Sequence, residues 1–121
     1  MQFNVNWIPL MSLIDYRGFR LSAMCLLPVS GSKTLVYGSG DAGNTIHAGE
    51  KVEGLPQIMK DISQELNIKE HRVQQGIDGK IKSIHTAVDV EVHEGNDSEK
   101  RLYALDFARL MPPECPSRKP G

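Results

Sequence analysis

The sequence predicts an α+β domain: a mostly antiparallel sheet of about six strands with one main helix packed on one face. First, a chain of 121 residues with 40% hydrophobic and 24% charged side chains has the size and composition of one globular domain. Second, a single stretch, residues 55–66, has apolar residues at helical spacing. Third, several short apolar or alternating runs are separated by Gly, Asp and Asn turns, which is typical of hairpins.

The N-terminal third of the chain predicts an antiparallel hairpin. Residues 3–13 are apolar with a break at Pro9, which fits an edge strand or a lead-in. Residues 15–18 predict a turn, because Asp begins turns and Gly tolerates positive φ. The centre of residues 19–29 is nearly all apolar, so we expect a strand covered on both faces, with residues 33–37 as its partner.

Residues 55–66 carry the clearest helical pattern. Pro56 suits the first turn, where its missing N–H costs nothing, and Asn67 is a suitable C-terminal stop. The side chains of Lys60, Asp61 and Glu65 lie between the apolar positions, on the solvated side. The predicted apolar stripe consists of Leu55, Ile58, Met59, Ile62 and Leu66.

The second half of the chain predicts two more strands and a tail. Residues 82–93 alternate between apolar and polar side chains, which predicts a half-buried strand with one wet face. Residues 101–107 are its predicted partner. We expect residues 1–111 to form one domain and residues 112–121, which hold four of the seven prolines, to form a Pro-rich tail.

Composition argues against several classes of function. A formal net charge of −1 counts against a strongly nucleic-acid-binding domain. The longest apolar run, residues 23–29, is too short to cross a bilayer, so we expect no membrane insertion. Cys25 and Cys115 form no disulfide framework, which favours a reducing compartment, and the chain has no Cys-x-x-Cys zinc pattern. We expect no metal and no cofactor.

One face of the strand predicted at residues 82–93 offers candidate acid, base or metal-binding groups. Residues two apart lie on the same face of a strand, so their side chains form a row. A straight strand spreads such groups, whereas a metal requires ligands that converge, so a solvated face is the favoured interpretation. The alternative is a small hydrolytic or phosphate-handling enzyme that uses Asp106 and this row beside the Gly-rich loop at residues 38–49. The glycines of that loop more simply predict a flexible connection. The row comprises His85, Asp89, Glu91 and His93.

Asp106 is a second candidate. It lies between Ala104 and Ala108 on a strand face that the pattern predicts to be buried, and a buried carboxylate needs a partner. An arginine could pair with it in bidentate fashion, which predicts an internal salt bridge. The candidate partners are Arg17, Arg20 and Arg109.

Three stretches resemble the core of the clustered-mitochondria (CLU) domain. Residues 14–20, Ile-Asp-Tyr-Arg-Gly-Phe-Arg, are similar to the family's segment that leads into a strand. Residues 35–39, Leu-Val-Tyr-Gly-Ser, are similar to its Tyr-Gly-Ser turn. Residues 103–114, Tyr-Ala-Leu-Asp-Phe-Ala-Arg-Leu-Met-Pro-Pro-Glu, are similar to its closing segment. The order of the three agrees, and the resemblance covers about residues 13–114.

The resemblance implies a non-catalytic interaction domain. Members of the family are large cytoplasmic proteins associated with mitochondrial distribution, and they are linked to mRNAs for mitochondrial proteins and to translation factors. It therefore implies a protein or RNA partner. A third possibility is a domain whose only partner is the rest of a larger protein, which a large apolar patch would favour. The residues expected to bind are Asp15, Tyr16, Arg17, Arg20, Asp106 and Arg109.

Overall fold

A computed structural model describes residues 7–110 and confirms the α+β class. Within that range the chain has one α-helix and eight strands, all paired antiparallel. The bounds are β1 Met11–Tyr16, β2 Phe19–Met24, β3 Leu35–Gly38, β4 His47–Ala48, α1 Leu55–Glu65, β5 His71–Gln74, β6 Ile81–Ile84, β7 Glu91–Glu94 and β8 Leu102–Leu105. Short 3-10 helices lie between β2 and β3 at Gly31–Lys33 and after β8 at Ala108–Leu110.

The strands divide among three sheets. The central sheet has the order β4-β3-β7-β8, and β1-β2 and β5-β6 are separate two-stranded sheets. Trp7 extends the central sheet by pairing in parallel with Tyr103 of β8. In that pairing the Trp7 N–H donates to the Leu102 carbonyl at 2.9 Å, and the Ala104 N–H donates to the Trp7 carbonyl at 3.1 Å. The segment before β1 is thereby fastened to the edge of the central sheet.

The hydrophobic core lies between the central sheet, helix α1 and strand β6. Leu55 and Met59 of the helix are 0% and 2% exposed and belong to the same cluster as the sheet residues. Full burial of a large apolar side chain stabilises a fold by about 1.5–3 kcal/mol. The cluster comprises Val36, Tyr37, Ile46, Leu55, Met59, Ile84, Val92 and Ala104.

Helix α1 confirms the predicted helix, but Leu66 of the predicted apolar stripe lies beyond its last residue and is 50% exposed. It begins at Leu55 with Pro56 in its first turn and ends at Glu65. Asn67 has a φ of 56°, so it adopts the left-handed conformation that commonly follows a helix. The Ile68 N–H returns to the Ser63 carbonyl at 2.7 Å and completes this stop.

The predicted hairpin between residues 19–29 and 33–37 is wrong. Strand β2 pairs with β1 instead, through a two-residue turn at Arg17 and Gly18 with φ values of 48° and 81°. Positive φ at both positions is the type I′ geometry that matches the twist of antiparallel strands. Every residue of β1 and β2 is exposed, so β2 is not a covered strand, and Cys25 beyond it is exposed as well.

The single strand predicted for residues 82–93 is also wrong. The chain leaves β6 at Ile84, turns through residues 85–90 and begins β7 only at Glu91. The Tyr37 hydroxyl accepts a hydrogen bond from the His85 N–H at 2.9 Å, and the Ser39 N–H donates to the Val88 carbonyl at 2.9 Å. These contacts satisfy backbone groups of the turn that a continuous ladder would otherwise use.

Residues 112–121 lie outside the described part of the chain, so the Pro-rich tail and the domain boundary at residue 111 stay predictions. Across residues 7–110 no helix has both the length and the apolar character needed to cross a membrane.

Candidate functional site

Four of the six predicted binding residues lie together at the tip of the β1–β2 hairpin. Arg20 donates from Nε and Nη2 to the two carboxylate oxygens of Asp15 at 2.7 and 3.0 Å. This bidentate pair holds the pKa of Asp15 below its ordinary value and raises the pKa of Arg20. The Arg17 guanidinium lies 5.2 Å from the centre of the Tyr16 ring, which is a cation–π distance.

The other two predicted residues lie elsewhere, after β8. Asp106 is exposed with a φ of 62°, and the Arg109 Nε lies 3.0 Å from the Asp89 carboxylate. The predicted internal salt bridge from Asp106 to Arg17, Arg20 or Arg109 is therefore wrong. Strand β8 ends at Leu105, and the left-handed turn at the next residue directs its side chain into solvent rather than into the core.

The six residues thus form two groups rather than one surface. No hydrogen bond or ion pair within residues 7–110 links the hairpin tip to Asp106 or Arg109. Asp106, Arg109 and Asp89 line a depression of about 500 Å³ beside Gly40 and Gly43 of the Gly-rich loop. That all six residues bind a partner stays a prediction.

The row of ionisable groups predicted on residues 82–93 does not form. His85 and Asp89 lie in the turn, and Glu91 and His93 lie on β7. In residues 7–110 no three His, Cys, Asp or Glu side chains converge as a metal site would require. Asp89 shares the depression with Asp106, but its carboxylate is already paired with Arg109.

His93 takes part in a buried hydrogen-bonded chain. Its side chain is 4% exposed, with Nε2 2.8 Å from the Glu91 carboxylate and Nδ1 3.0 Å from the Thr34 hydroxyl. A hydroxyl, an imidazole and a carboxylate in line are the parts of a nucleophilic triad. Here the Thr34 hydroxyl also accepts from the Ser30 N–H at 2.9 Å and lies 3.3 Å from the Gly31 carbonyl. Its hydrogen-bonding capacity is used in fastening the 3-10 turn to β7.

The segment Tyr37-Gly38-Ser39 is structural. The Tyr37 hydroxyl holds the turn at residue 85, as described above, while its ring is buried in the core. Gly38 has a φ of 89°, and a Cβ at this position would come within 1.9 Å of the Val90 carbonyl oxygen. Ser39 is 5% exposed, and its hydroxyl accepts from the Gly43 N–H at 2.9 Å. Only glycine permits this approach of two chain segments.

The Gly-rich loop that follows is held by hydrogen bonds rather than being a plain flexible connection. The Asp41 carboxylate accepts from the Thr45 N–H at 2.8 Å and from the Ser39 hydroxyl at 2.9 Å. These two contacts keep the pKa of Asp41 below its ordinary value. The loop is thereby folded back on itself beside the depression that Asp106 and Arg109 line.

Within residues 7–110, the β1–β2 hairpin is an uncovered apolar surface that the sequence pattern did not reveal. Its register places Ser12, Ile14, Tyr16, Phe19, Leu21 and Ala23 on one side, here called the aromatic face. On that face Tyr16 is 60%, Phe19 73% and Leu21 55% exposed. The sequence signal that could have found it is the Arg17-Gly18 turn between two six-residue runs rich in apolar side chains.

The opposite side of the hairpin, here called the mixed face, is less uniform. Leu13 is 73% exposed on it, and the Asp15–Arg20 ion pair crosses its outer end. The mixed face comprises Met11, Leu13, Asp15, Arg20, Ser22 and Met24.

The fold and this surface define a small α+β domain with a buried hydrophobic core and an exposed apolar hairpin. The family model described as "Clustered mitochondria" matches residues 3–116, so the chain belongs to the CLU family.

Several curated relatives carry the name "Clustered mitochondria protein homolog". The chain is 33% identical over 111 residues to "Clustered mitochondria protein homolog" of Caenorhabditis briggsae, which covers 86% of this chain and 8% of that protein. It is 33% identical over 109 residues to the Brugia malayi homolog, with coverage of 86% and 7%. It is 30% identical over 106 residues to "Protein clueless" of Drosophila persimilis, with coverage of 84% and 7%. The chain therefore spans less than a tenth of these relatives. No solved structure matches it.

Proposed function

We propose that this chain is a non-catalytic protein-binding domain of the CLU family, that it works in the cytoplasm in the distribution of mitochondria, and that the β1–β2 hairpin is its contact surface. The link to mitochondria rests on the names of the relatives, "Clustered mitochondria protein homolog". The role as a binding domain rests on the hairpin.

The exposed aromatic face is the observation that carries the proposal. Soluble monomers seldom expose a contiguous apolar patch without a partner for it, whether that partner is another protein or the rest of a longer chain. Ile14, Tyr16, Phe19 and Leu21 are adjacent in the register, and each is at least 43% exposed. Aromatic side chains of this kind are enriched in protein interfaces, where they supply a large contact area at low entropic cost.

A protein partner fits this surface better than RNA. Binding to RNA relies on clustered Lys and Arg side chains beside stacking aromatics. At the hairpin tip Arg20 is neutralised by Asp15, which leaves Arg17 as the one cation of β1, β2 and their turn without an acidic partner. The net charge of the whole chain is −1.

An enzymatic function has less support. The hydroxyl nearest to a histidine, that of Thr34, already has structural partners, and Asp89 is paired with Arg109. The depression beside the Gly-rich loop brings Asp106 near Asp89, but His85 and His93 do not line it. A general base must lie within hydrogen-bond reach of the proton that it takes. In this depression Asp89 is paired with Arg109, and Asp106 has no histidine or nucleophile bonded to it within the described residues.

A pull-down from cytosol, with and without nuclease, tests the proposal. The bait pair is the wild-type chain and the double variant Phe19→Ser/Leu21→Ser. The matched control is Ile77→Ser/Ile81→Ser, which removes apolar side chains that are 72% and 57% exposed outside the hairpin. We expect the wild-type chain and the control to retain a set of proteins after nuclease treatment. The hairpin variant should lose these proteins. Retention that nuclease abolishes would indicate RNA instead, and equal retention by all three baits would remove the hairpin from the interface.

A further inference from the structure

We propose that the hairpin binds its partner by strand addition: an extended segment of another protein, apolar with an acidic residue near one end, pairs along an open edge of the β1–β2 sheet. This inference rests on the proposed function and names the partner's chemistry and its mode of binding.

Both outer edges of the hairpin are open. The β1–β2 sheet has two strands, and no backbone hydrogen bond joins an outer edge to the rest of residues 7–110. The Cys25 N–H donates to the Leu10 carbonyl at 3.0 Å, so the pairs two and four residues further along are also hydrogen-bonded within the hairpin. The alternate pairs, such as Leu13 with Ser22, direct their backbone N–H and C=O groups outward, where a third strand would bond to them.

A two-stranded hairpin in this setting is incomplete. Isolated hairpins are marginal in water, and independent stability takes three strands with an apolar face, or packing against another element. All six residues of each strand are exposed, so nothing in the described chain covers the faces. A third strand is the smallest addition that would complete the sheet, and an open edge is the usual template for it.

The hairpin is nevertheless held in place at its base. Before β1, Trp7 is paired with β8. After β2, the Asn96 N–H donates to the Pro28 carbonyl at 2.7 Å, and the Asn96 side-chain amide donates to the Ser30 hydroxyl at 3.0 Å. Anchoring both arms limits the range of positions that the hairpin can take and so lowers the entropic cost of binding.

The charge at the tip indicates which partner fits. Arg17 stacks on Tyr16 and has no carboxylate partner within residues 7–110, whereas Arg20 and Asp15 neutralise each other. A strand laid along either edge ends beside this cation. An acidic residue at that end would be favoured and a lysine disfavoured.

Proline substitutions on the outward positions test strand addition directly. Leu13 and Ser22 direct their N–H groups outward, so Leu13→Pro or Ser22→Pro removes a donor for a third strand and leaves the internal ladder intact. Leu13→Val and Ser22→Thr keep the donor and are the matched controls. Far-ultraviolet circular dichroism establishes that each variant is folded before binding is measured.

The probe is a phage-displayed library of random 12-residue peptides selected on the wild-type chain, followed by synthesis of the most enriched peptide. We expect alternating apolar sequences with an acidic residue at one end. In fluorescence anisotropy, one of the two proline variants should bind at least ~10-fold more weakly, while the Val and Thr controls change by less than about threefold. Arg17→Glu should favour a lysine-ended version of the same peptide.

Several results would overturn strand addition. They are an empty selection, peptides that bind both proline variants as tightly as the wild type, displacement of the peptide by a 12-nucleotide oligouridylate, or a dimer of the free chain by light scattering. The two proposals fail separately. Cytosolic capture that depends on Phe19 and Leu21 but is insensitive to both prolines removes only strand addition. If a proline variant weakens peptide binding but no protein is captured from cytosol, only the proposed function is removed.

Discussion

Gly38 lies so close to Val90 that a Cβ on the glycine would come within 1.9 Å of the Val90 carbonyl oxygen. Two chain segments more than fifty residues apart in sequence meet at this point, and they are strand β3 and the turn that precedes β7. Because the contact is with backbone, no side-chain rotation can relieve it.

Gly38→Ala should therefore destabilise the fold strongly. We expect a loss of about 3 kcal/mol or more in the free energy of unfolding, from the clash and from a φ of 89°. Gly54→Ala is the matched control, because its φ is 78° but nothing lies within 4 Å of the added Cβ, so its cost should be about 1–2 kcal/mol. Urea titration followed by circular dichroism measures both, and equal losses would contradict the close approach.

Replacing His93 should expose the cost of unsatisfied buried groups. His93→Ala leaves the Glu91 carboxylate, whose side chain is 19% exposed, without its histidine partner, and it removes one of the three partners of the Thr34 hydroxyl. We expect a loss of about 1–3 kcal/mol in the free energy of unfolding, the cost of leaving a buried hydrogen-bonding group without its partner. Asp15→Ala, which breaks an ion pair exposed on both sides, should leave unfolding unchanged within error. If the His93→Ala protein were as stable as the wild type, the hydrogen bonds from His93 to Glu91 and Thr34 would not stabilise the fold.

Asp106 has a backbone reason to be an aspartate. Its φ of 62° is unfavourable for most residues, and Asp and Asn tolerate it best. Asp106→Asn should leave stability unchanged, whereas Asp106→Ala should cost about 1 kcal/mol. Thermal unfolding of the two variants compares them. If both lose the same stability, the carboxylate rather than the backbone explains the residue.

The carboxyl of Asp78 should titrate at low pH. Hydrogen bonds from the Lys80 side chain and backbone lower its pKa from 3.8 to about 2. Because the folded-state pKa is below the unfolded one, this interaction stabilises the fold above about pH 4 and is lost as the pH falls toward 2. Lys80→Ala should raise the pKa, but not fully to 3.8, since the Lys80 N–H still donates to Asp78 at 3.0 Å. Carboxyl NMR titration measures both, and a midpoint that Lys80→Ala does not move would be the contrary result.

The apolar hairpin should be unimportant for the stability of the isolated domain. Leu21→Ala on the aromatic face, where Leu21 is 55% exposed, should change the free energy of unfolding by less than about 0.5 kcal/mol. Leu55→Ala in the core, where the side chain is 0% exposed, should cost about 2–5 kcal/mol. Urea titration compares the two leucines directly. A large loss at Leu21 would mean that the hairpin packs on the domain rather than waiting for a partner.

Local features were predictable because neighbouring residues decide them. Helix α1 follows from the spacing of Leu55, Met59 and Ile62, and its stop follows from Asn67. The turn at Arg17 and Gly18 follows from the conformational freedom of glycine.

Membership of the family could also be recognised from the sequence, since short motifs in a fixed order, such as residues 35–39, can be identified without knowing which residues are in contact. By itself, then, the sequence determined the fold class, the helix, the tight turn and the kinship.

Tertiary contacts decided the rest. The alternation of residues 82–93 suits one long strand as well as two strands and a turn, and the Tyr37 hydroxyl and the close approach of Gly38 select the turn. The nearly all-apolar residues 21–27 likewise suit a buried strand or an uncovered one, because hydrophobicity shows that a side chain favours burial but not which surface is available to bury it. The sequence therefore showed the apolar residues of the candidate site but not their exposure, since whether Phe19 is covered depends on which segments fold against it.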